Sequence, residues 1–221
     1  MSQRASYTLE ELRALVDEAH LQGKLVGGHA IATQAIVNCL DAGVDMIIHC
    51  SFMQPDGSLT FDPDIGERLA SSGVWVNPTL FVGKSGDLVL EEKARDGQLS
   101  DSEQITLDEN LTRMEQRMDV SRRMGEAGVR LIGGSDCGWS AYAFGRFHLE
   151  LDALVQTGMS TSQAVLAGTR DAAESLGLLD RIGTLKRGKE ADLLIVDGDP
   201  TQDINDLSKV VGVFQGGERV R

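Results

Sequence analysis

The sequence predicts an α/β fold, a parallel sheet with crossover helices over most of the chain, followed by a small β appendage. Three observations predict it. A unit of helix, glycine, short apolar strand and polar residue occurs four times, and such alternation implies parallel strands joined by right-handed crossovers. The interval from a helix-stopping glycine to a histidine is the same in the first two units, six residues from Gly23 to His29 and six from Gly43 to His49. Beyond about Asp180 the pattern gives way to β-like runs separated by turn signals. The units recur at unequal intervals, which excludes a solenoid.

Taken in order, Thr8-Leu9-Glu10-Glu11 reads as a capping box opening a helix over residues 8–22 that stops at Gly23. Residues 24–28 form a short buried strand that delivers His29. A helix over 31–42 closes at Gly43, and a strand over 44–48 delivers His49. Asp62-Pro63 is an N-cap followed by proline at the first helical position, and that helix ends at Gly73. A strand over 74–76 leads into Asn77, Pro78 and Thr79. Within the charge-rich segment 86–125, the acidic, glycine-punctuated first part reads as a mobile loop and 102–124 as a helix. The fourth unit is RLIGGSDCG (residues 130–138), in which a strand over 129–132 leads to Asp136, past a C-terminal strand end where parallel sheets place their chemistry.

Helices follow over 147–157 and 160–176, the second broken near Gly168. Residues 190–196, 210–215 and 218–220 are β-like, with turns at Gly198-Asp199-Pro200 and Gly216-Gly217. The expected division is therefore 1–180 for the βα region and 181–221 for the appendage.

A formal net charge of −13 disfavours nucleic acid and anionic membrane surfaces, both of which need a basic footprint. Three cysteines, Cys39, Cys50 and Cys137, form no framework spacing, so reduced thiols and a cytoplasmic location are expected. No apolar run approaches the roughly 20 residues of a spanning helix, and no signal peptide is expected.

His29, His49 and Asp136 are the residues to bring together. If their strands are neighbours in one curved sheet, two imidazoles and a carboxylate share a rim and suit a divalent transition metal such as zinc. Each has a bland reading: a lone strand-end histidine is more often a hydrogen-bonded structural residue, and a lone aspartate is often a helix N-cap. The constellation says more than its parts, because the chain holds only four histidines. Of the others, His20 sits in the last turn of the first helix and suits the dipole there. His148 starts a helix after the Asp136 loop, where it faces the site or, more simply, solvent. Asn77 and Thr79 are candidate polar groups of a substrate pocket. Cys50 and Cys137 follow site residues, and strand alternation turns them away as packing residues. Gly133-Gly134 admits a ligand to the backbone, a phosphate being the weaker option. Trp139, Tyr142 and Phe144 form an apolar wall or pack elsewhere.

Six segments resemble the metal-dependent amidohydrolases, particularly the imidazolonepropionase-like and prolyl-dipeptidase-like branch. They are GKLVGGHA (23–30), AGVDMIIHC (42–50), GVWVNPTL (73–80), AGVRLIGGSDCG (127–138), GTRDAAESLGL (168–178) and IGTLKRGKEADLLIVDGDP (182–200). They cover nearly the whole chain in the family's order, and the last is similar to the run by which the family enters a small β-sandwich.

The resemblance implies a partial (β/α)8 barrel, with strands five to eight equivalent, and a small C-terminal β-sandwich piece. It implies His29 and His49 as metal ligands after strands five and six, and Asp136 as metal ligand and catalytic residue after strand eight. The implied activity is metal-dependent hydrolysis of amides, cyclic amides or peptides, in which divalent ions polarise a carbonyl and activate water while the aspartate takes and returns a proton. The family's leading His-x-His pair and its ligand after strand four have no counterpart here. The chain thus resembles the C-terminal half of such an enzyme, an open half barrel expected to pair with a second copy or with an N-terminal half, since exposed strand edges are a liability. Small amide or dipeptide-like substrates are the expected partners, and a non-catalytic fragment or assembly module is the alternative.

Overall fold

Thr8 opens α1 (Leu9–Leu21) as a capping box: its hydroxyl accepts from the Glu11 amide and the Glu11 carboxylate accepts from the Thr8 amide at 2.8 Å. In this computed structural model, which describes residues 4–84, 87–138 and 142–221, the next elements are β1 (Gly27–Ala32), α2 (Thr33–Ala42), β2 (Met46–Met53), α3 (Pro63–Ser72) and β3 (Trp75–Asn77). Then come α4 (Leu80–Lys84), α5 (Asp87–Arg95), α6 (Asp101–Glu126), β4 (Arg130–Leu131), α7 (His148–Gln156), α8 (Thr161–Ala167) and α9 (Arg170–Ser175). Asp62 caps α3 through the Asp64 and Ile65 amides, and Gly43 and Gly73 end α2 and α3 in the left-handed conformation that glycine adopts without a Cβ clash.

The four strands β1 to β4 form one parallel sheet in sequence order, and the protein is α/β. Its register makes the two faces unequal. Gly28, Ile47, Val76 and Leu131 lie in one row, and all but Gly28 are buried under the helices. Gly28 is where Cys39 of α2 approaches most closely, since a Cβ there would come within 2.6 Å of its sulfur. That side continues into Val16, Ile36, Leu69 and Met124, the main apolar core. The opposite rows, Gly27-Met46-Trp75-Arg130 and His29-Ile48-Asn77, are only half-covered or exposed. One face is thus sealed by apolar burial and the other left open.

Several features differ from expectation. His29 lies inside β1 rather than after it. β2 does not stop at Ile48 but runs through an irregularity in which Ala30 pairs with His49 and Ala32 with Met53. His49, Cys50 and Phe52 have φ of 70°, 49° and 53°, so alternation fails across this bulge. The segment expected to be a mobile loop contains α5, anchored by the buried Asp87, which accepts from Asn110 of α6 at 2.7 Å, and by the Lys93–Glu103 ion pair at 2.5 Å. His20 is not simply solvated: its Nε2 is 2.9 Å from Asp45 Oδ2, which also accepts from the Val26 amide, tying the end of α1 to the starts of β1 and β2.

The C-terminal segments form a second, three-stranded antiparallel sheet of β5 (Leu193–Val196), β6 (Val210–Gln215) and β7 (Glu218–Arg219), with Gly216 and Gly217 at positive φ in the hairpin turn. Between β5 and β6 a 3-10 turn (Ile204–Ser208) buries Ile204 against Leu151, Leu154 and Ala167 of α7 and α8. Gly183 joins this tail to α9: its φ is +84°, and a Cβ there would lie 2.5 Å from that of Ala173. Among the described residues no helix is long and apolar enough to cross a membrane.

Candidate functional site

β2 and the segments that follow β3 and β4 carry a concentration of unusual backbone. Among the described residues, the non-glycine positions with positive φ are His49, Cys50 and Phe52 in the irregular second half of β2, Thr79 two residues past β3, and Asp136 in the segment after β4. Such conformations persist where surrounding contacts hold them, and they cluster at functional sites.

One cleft on the open face collects His29, His49 and Asp136. His29 points into it because its row faces that way. His49 reaches it differently. The register places Ile48 beside His29 and His49 beside Ala30, which is buried on the helix side. The left-handed turn at His49 redirects its ring, so that its Nε2 stands 3.2 Å from His29 Nδ1 with the rings edge to face at 75°. Cys50 is then buried in the core, as packing expects, although through a turn rather than alternation. Its thiol is pushed up strongly by burial, which makes it a poor thiolate ligand.

His49 is electrostatically tuned. Burial first, then the neighbouring His29 and Arg117, push its imidazole down to about 4, against the opposing pull of Asp136. At neutral pH it is uncharged and keeps a free ring lone pair. Asp136 is exposed on the rim, following Gly133 and Gly134. Among the described residues no three His, Cys, Asp or Glu side chains stand close enough to enclose a metal ion. The two imidazoles are therefore a paired donor set, with the carboxylate in the same cleft but outside that pair.

Asn77 shares a row with His29 and Ile48, and a Cβ on Gly134 would lie 2.1 Å from its Nδ2. Its Oδ1 is buried without a hydrogen-bond partner among the described residues. Gly133 is likewise filled, its Cα facing Leu151 and Phe147. The glycine pair thus admits side chains, which removes the ground for a phosphate cradle there. Thr79 is fully buried and does not line the cleft; its hydroxyl lies 2.6 Å from His49 Nδ1. His148 does not line the cleft either; burial and Arg146 lower its pKa. Tyr142 packs edge to face on Phe81 at 4.8 Å, Phe144 is 80% exposed, and Trp139 lies outside the described residues.

Sequence reasoning missed Arg113 and Arg117, which line the cleft from α6, and Glu150 of α7. The arginines stand four apart on one helix face, but in so charged a helix that spacing carried no distinct signal. Arg113 has no ion-pair partner among the described residues, whereas Arg117 donates to the Thr79 carbonyl at 2.8 Å. Glu150 is fully buried and accepts from the Leu80 and Phe81 amides at 2.8 and 2.7 Å. Burial pushes its carboxyl up to about 7 against those two amides and Arg117. An acid inside the apolar run HLELDALV was the available signal.

Comparison with known proteins follows the same lines. The chain is 26% identical over 225 residues to an ochratoxinase from Aspergillus niger, a match spanning 97% of this chain and 42% of that protein. It is 34% identical over 101 residues to an imidazolonepropionase from Thermoplasma volcanium, spanning 43% and 24% of the two. A solved Xaa-Pro dipeptidase with bound methionine superposes with a TM-score of 0.80 at 28% identity, over 100% of this chain and 50% of that one. The chain spans about half the length, or less, of these relatives. The model of the amidohydrolase family matches residues 2–220, and the chain belongs to that family of hydrolases.

Proposed function

We propose that the chain is the four-strand C-terminal portion of a metal-dependent amidohydrolase barrel, with a piece of the accompanying β-sandwich, and that it serves hydrolysis of amide, cyclic amide or peptide C–N bonds. The sequence order of β1 to β4, without the strand reversal of a doubly wound sheet, supports the barrel portion. The proposed division remains 1–180 and 181–221.

The observation that carries the reading is the His29–His49 pair. Two nitrogens that each bind zinc at 2.0–2.1 Å in tetrahedral geometry stand about 3.3 Å apart, and His29 Nδ1 and His49 Nε2 are 3.2 Å apart. The donor chemistry therefore fits a divalent ion, zinc in particular. Bound there, such an ion supplies Lewis-acid polarisation of a carbonyl and a lowered pKa for water. Asp136 takes a proton from the attacking water and returns it to the departing nitrogen, so that amide and water become a carboxylic acid and an amine. Arg113 provides a cation for a carboxylate on an amino-acid or dipeptide-like substrate. Ile31, Ile48 and Met53 give the cleft an apolar wall.

The half-exposed open face, with β1 and β4 at the sheet edges, suits a completing partner, either a second copy or an N-terminal half. A second reading, a non-catalytic assembly module, is favoured by one observation: the described residues hold no three-donor cluster. Zinc content of the purified chain, its mass in solution, and hydrolysis of dipeptides and N-acyl amino acids with added zinc separate the two. Zinc binding with turnover supports the first; no metal and no turnover supports the module.

A further inference from the structure

We propose that Thr79 is a positioning residue that fixes the tautomer and ring plane of His49, and that Arg117 and Glu150 hold Thr79 in the backbone conformation this requires. The inference rests on the reading of His49 as a metal ligand for its purpose, though not for its geometry.

Thr79 is β-branched, fully buried and at φ 47°, a conformation that is strained for such a residue and needs external support. That support comes from side chains remote in sequence on both sides of the residue. Arg117 Nη2 donates to the Thr79 carbonyl at 2.8 Å and to the Pro78 carbonyl at 3.3 Å. The two oxygens of Glu150 accept from the next two amides, Leu80 and Phe81. Gly83 leaves the room for this, since a Cβ there would fall 1.9 Å from Arg117 Nη1. A half-buried arginine and a fully buried glutamate direct their hydrogen bonds to the peptide groups around one strained residue. Holding α4 against α7 needs no charge, and apolar side chains of similar volume do it without the desolvation cost.

The consequence lies in the hydroxyl. Thr79 Oγ1 donates its single hydrogen to the Pro78 carbonyl at 2.8 Å. Toward His49 Nδ1, at 2.6 Å, the same oxygen can only accept. Nδ1 must therefore carry the ring proton that this acceptor binds, and Nε2 is the nitrogen left facing His29 Nδ1. A hydrogen bond at the far ring nitrogen that fixes tautomer and orientation is the usual outer support of a ligating histidine. Here the support is a hydroxyl held by a strained backbone.

The test uses the full chain and long-range 1H–15N NMR of the histidine rings near pH 7.5, with circular dichroism as the folding control and zinc titration in parallel. In the wild type and in Thr79→Ser, His49 is expected as the Nδ1–H tautomer. In Thr79→Val, which keeps the shape and removes the acceptor, the ring is expected to shift toward Nε2–H, with zinc affinity falling about 10–100-fold and recovering in Thr79→Ser. An unchanged tautomer in folded Thr79→Val overturns the proposal. If Thr79→Val does not fold, Arg117→Lys decides: a mixed tautomer supports the proposal and the wild-type tautomer overturns it. A chain that binds no zinc yet shows the Thr79-dependent shift sinks the metal reading and leaves this inference standing. Zinc binding with a tautomer indifferent to Thr79 does the reverse.

Discussion

His29 Nδ1 and His49 Nε2 meet at 3.2 Å although strand pairing sets His49 opposite Ala30 and not opposite His29. The contact exists because the chain turns left-handed at His49 and Cys50, bringing one ring across from the covered face to the open one.

If that pair is a ligand set, His29→Ala and His49→Ala each reduce zinc binding to background, while His148→Ala leaves it unchanged. Isothermal titration of the purified chain with zinc reads this directly. Retention of full affinity in either of the first two variants would place the metal elsewhere.

Asp136 and Arg113 act at different stages in the proposed reaction. Asp136→Asn is expected to lower kcat by about 10²–10⁴-fold through loss of the proton acceptor. Arg113→Met is expected to raise KM for carboxylate-bearing substrates while leaving neutral amides unaffected. Steady-state kinetics on a matched pair of substrates, an N-acyl amino acid and its amide, distinguish the two effects in the zinc-loaded assembly.

Glu150 makes stability depend on pH. Its carboxyl moves from an ordinary 4.5 to about 7 in the fold, so between these values the native state binds more protons than the unfolded one. Its contribution to stability is therefore fully present below pH 4.5, declines as pH rises to 7 and is constant above. The decline is on the order of 3 kcal/mol. Urea unfolding of wild type and Glu150→Gln at several pH values should show their difference changing across this window and flat beyond it. A difference that instead grows in favour of the wild type as pH rises from 4.5 to 7 contradicts the direction.

Gly183 tests how the C-terminal tail is attached. Alanine there meets a positive φ and the Ala173 and Thr169 atoms of the adjoining helix at 2.5 and 3.0 Å. Gly183→Ala should destabilise by about 1–3 kcal/mol, whereas Gly188→Ala, also at positive φ but in open space, should cost less. Thermal or urea unfolding of the two variants makes the comparison.

The sequence by itself determined the order of the parallel strands and of most helices between them, the caps at Thr8 and Asp62, and the family, because these rest on local chemistry: apolar period, cap side chains and glycines that accept positive φ; it missed α4 and α5. It also singled out His29, His49 and Asp136, since metal-competent residues just past apolar strands are visible without coordinates. It did not determine that His49 lies beyond a break in alternation, because a left-handed histidine has no sequence signature. Thr79 illustrates the same limit. As a polar residue after a strand it reads as a substrate contact, yet in the fold it is buried beneath His49. Arg117 and Glu150 lie 38 and 71 positions further along the chain, and only packing α6 and α7 against the start of α4 brings them to its backbone. Tertiary structure decided the site's second layer because long-range polar contacts are set by how helices pack, and no local periodicity encodes them.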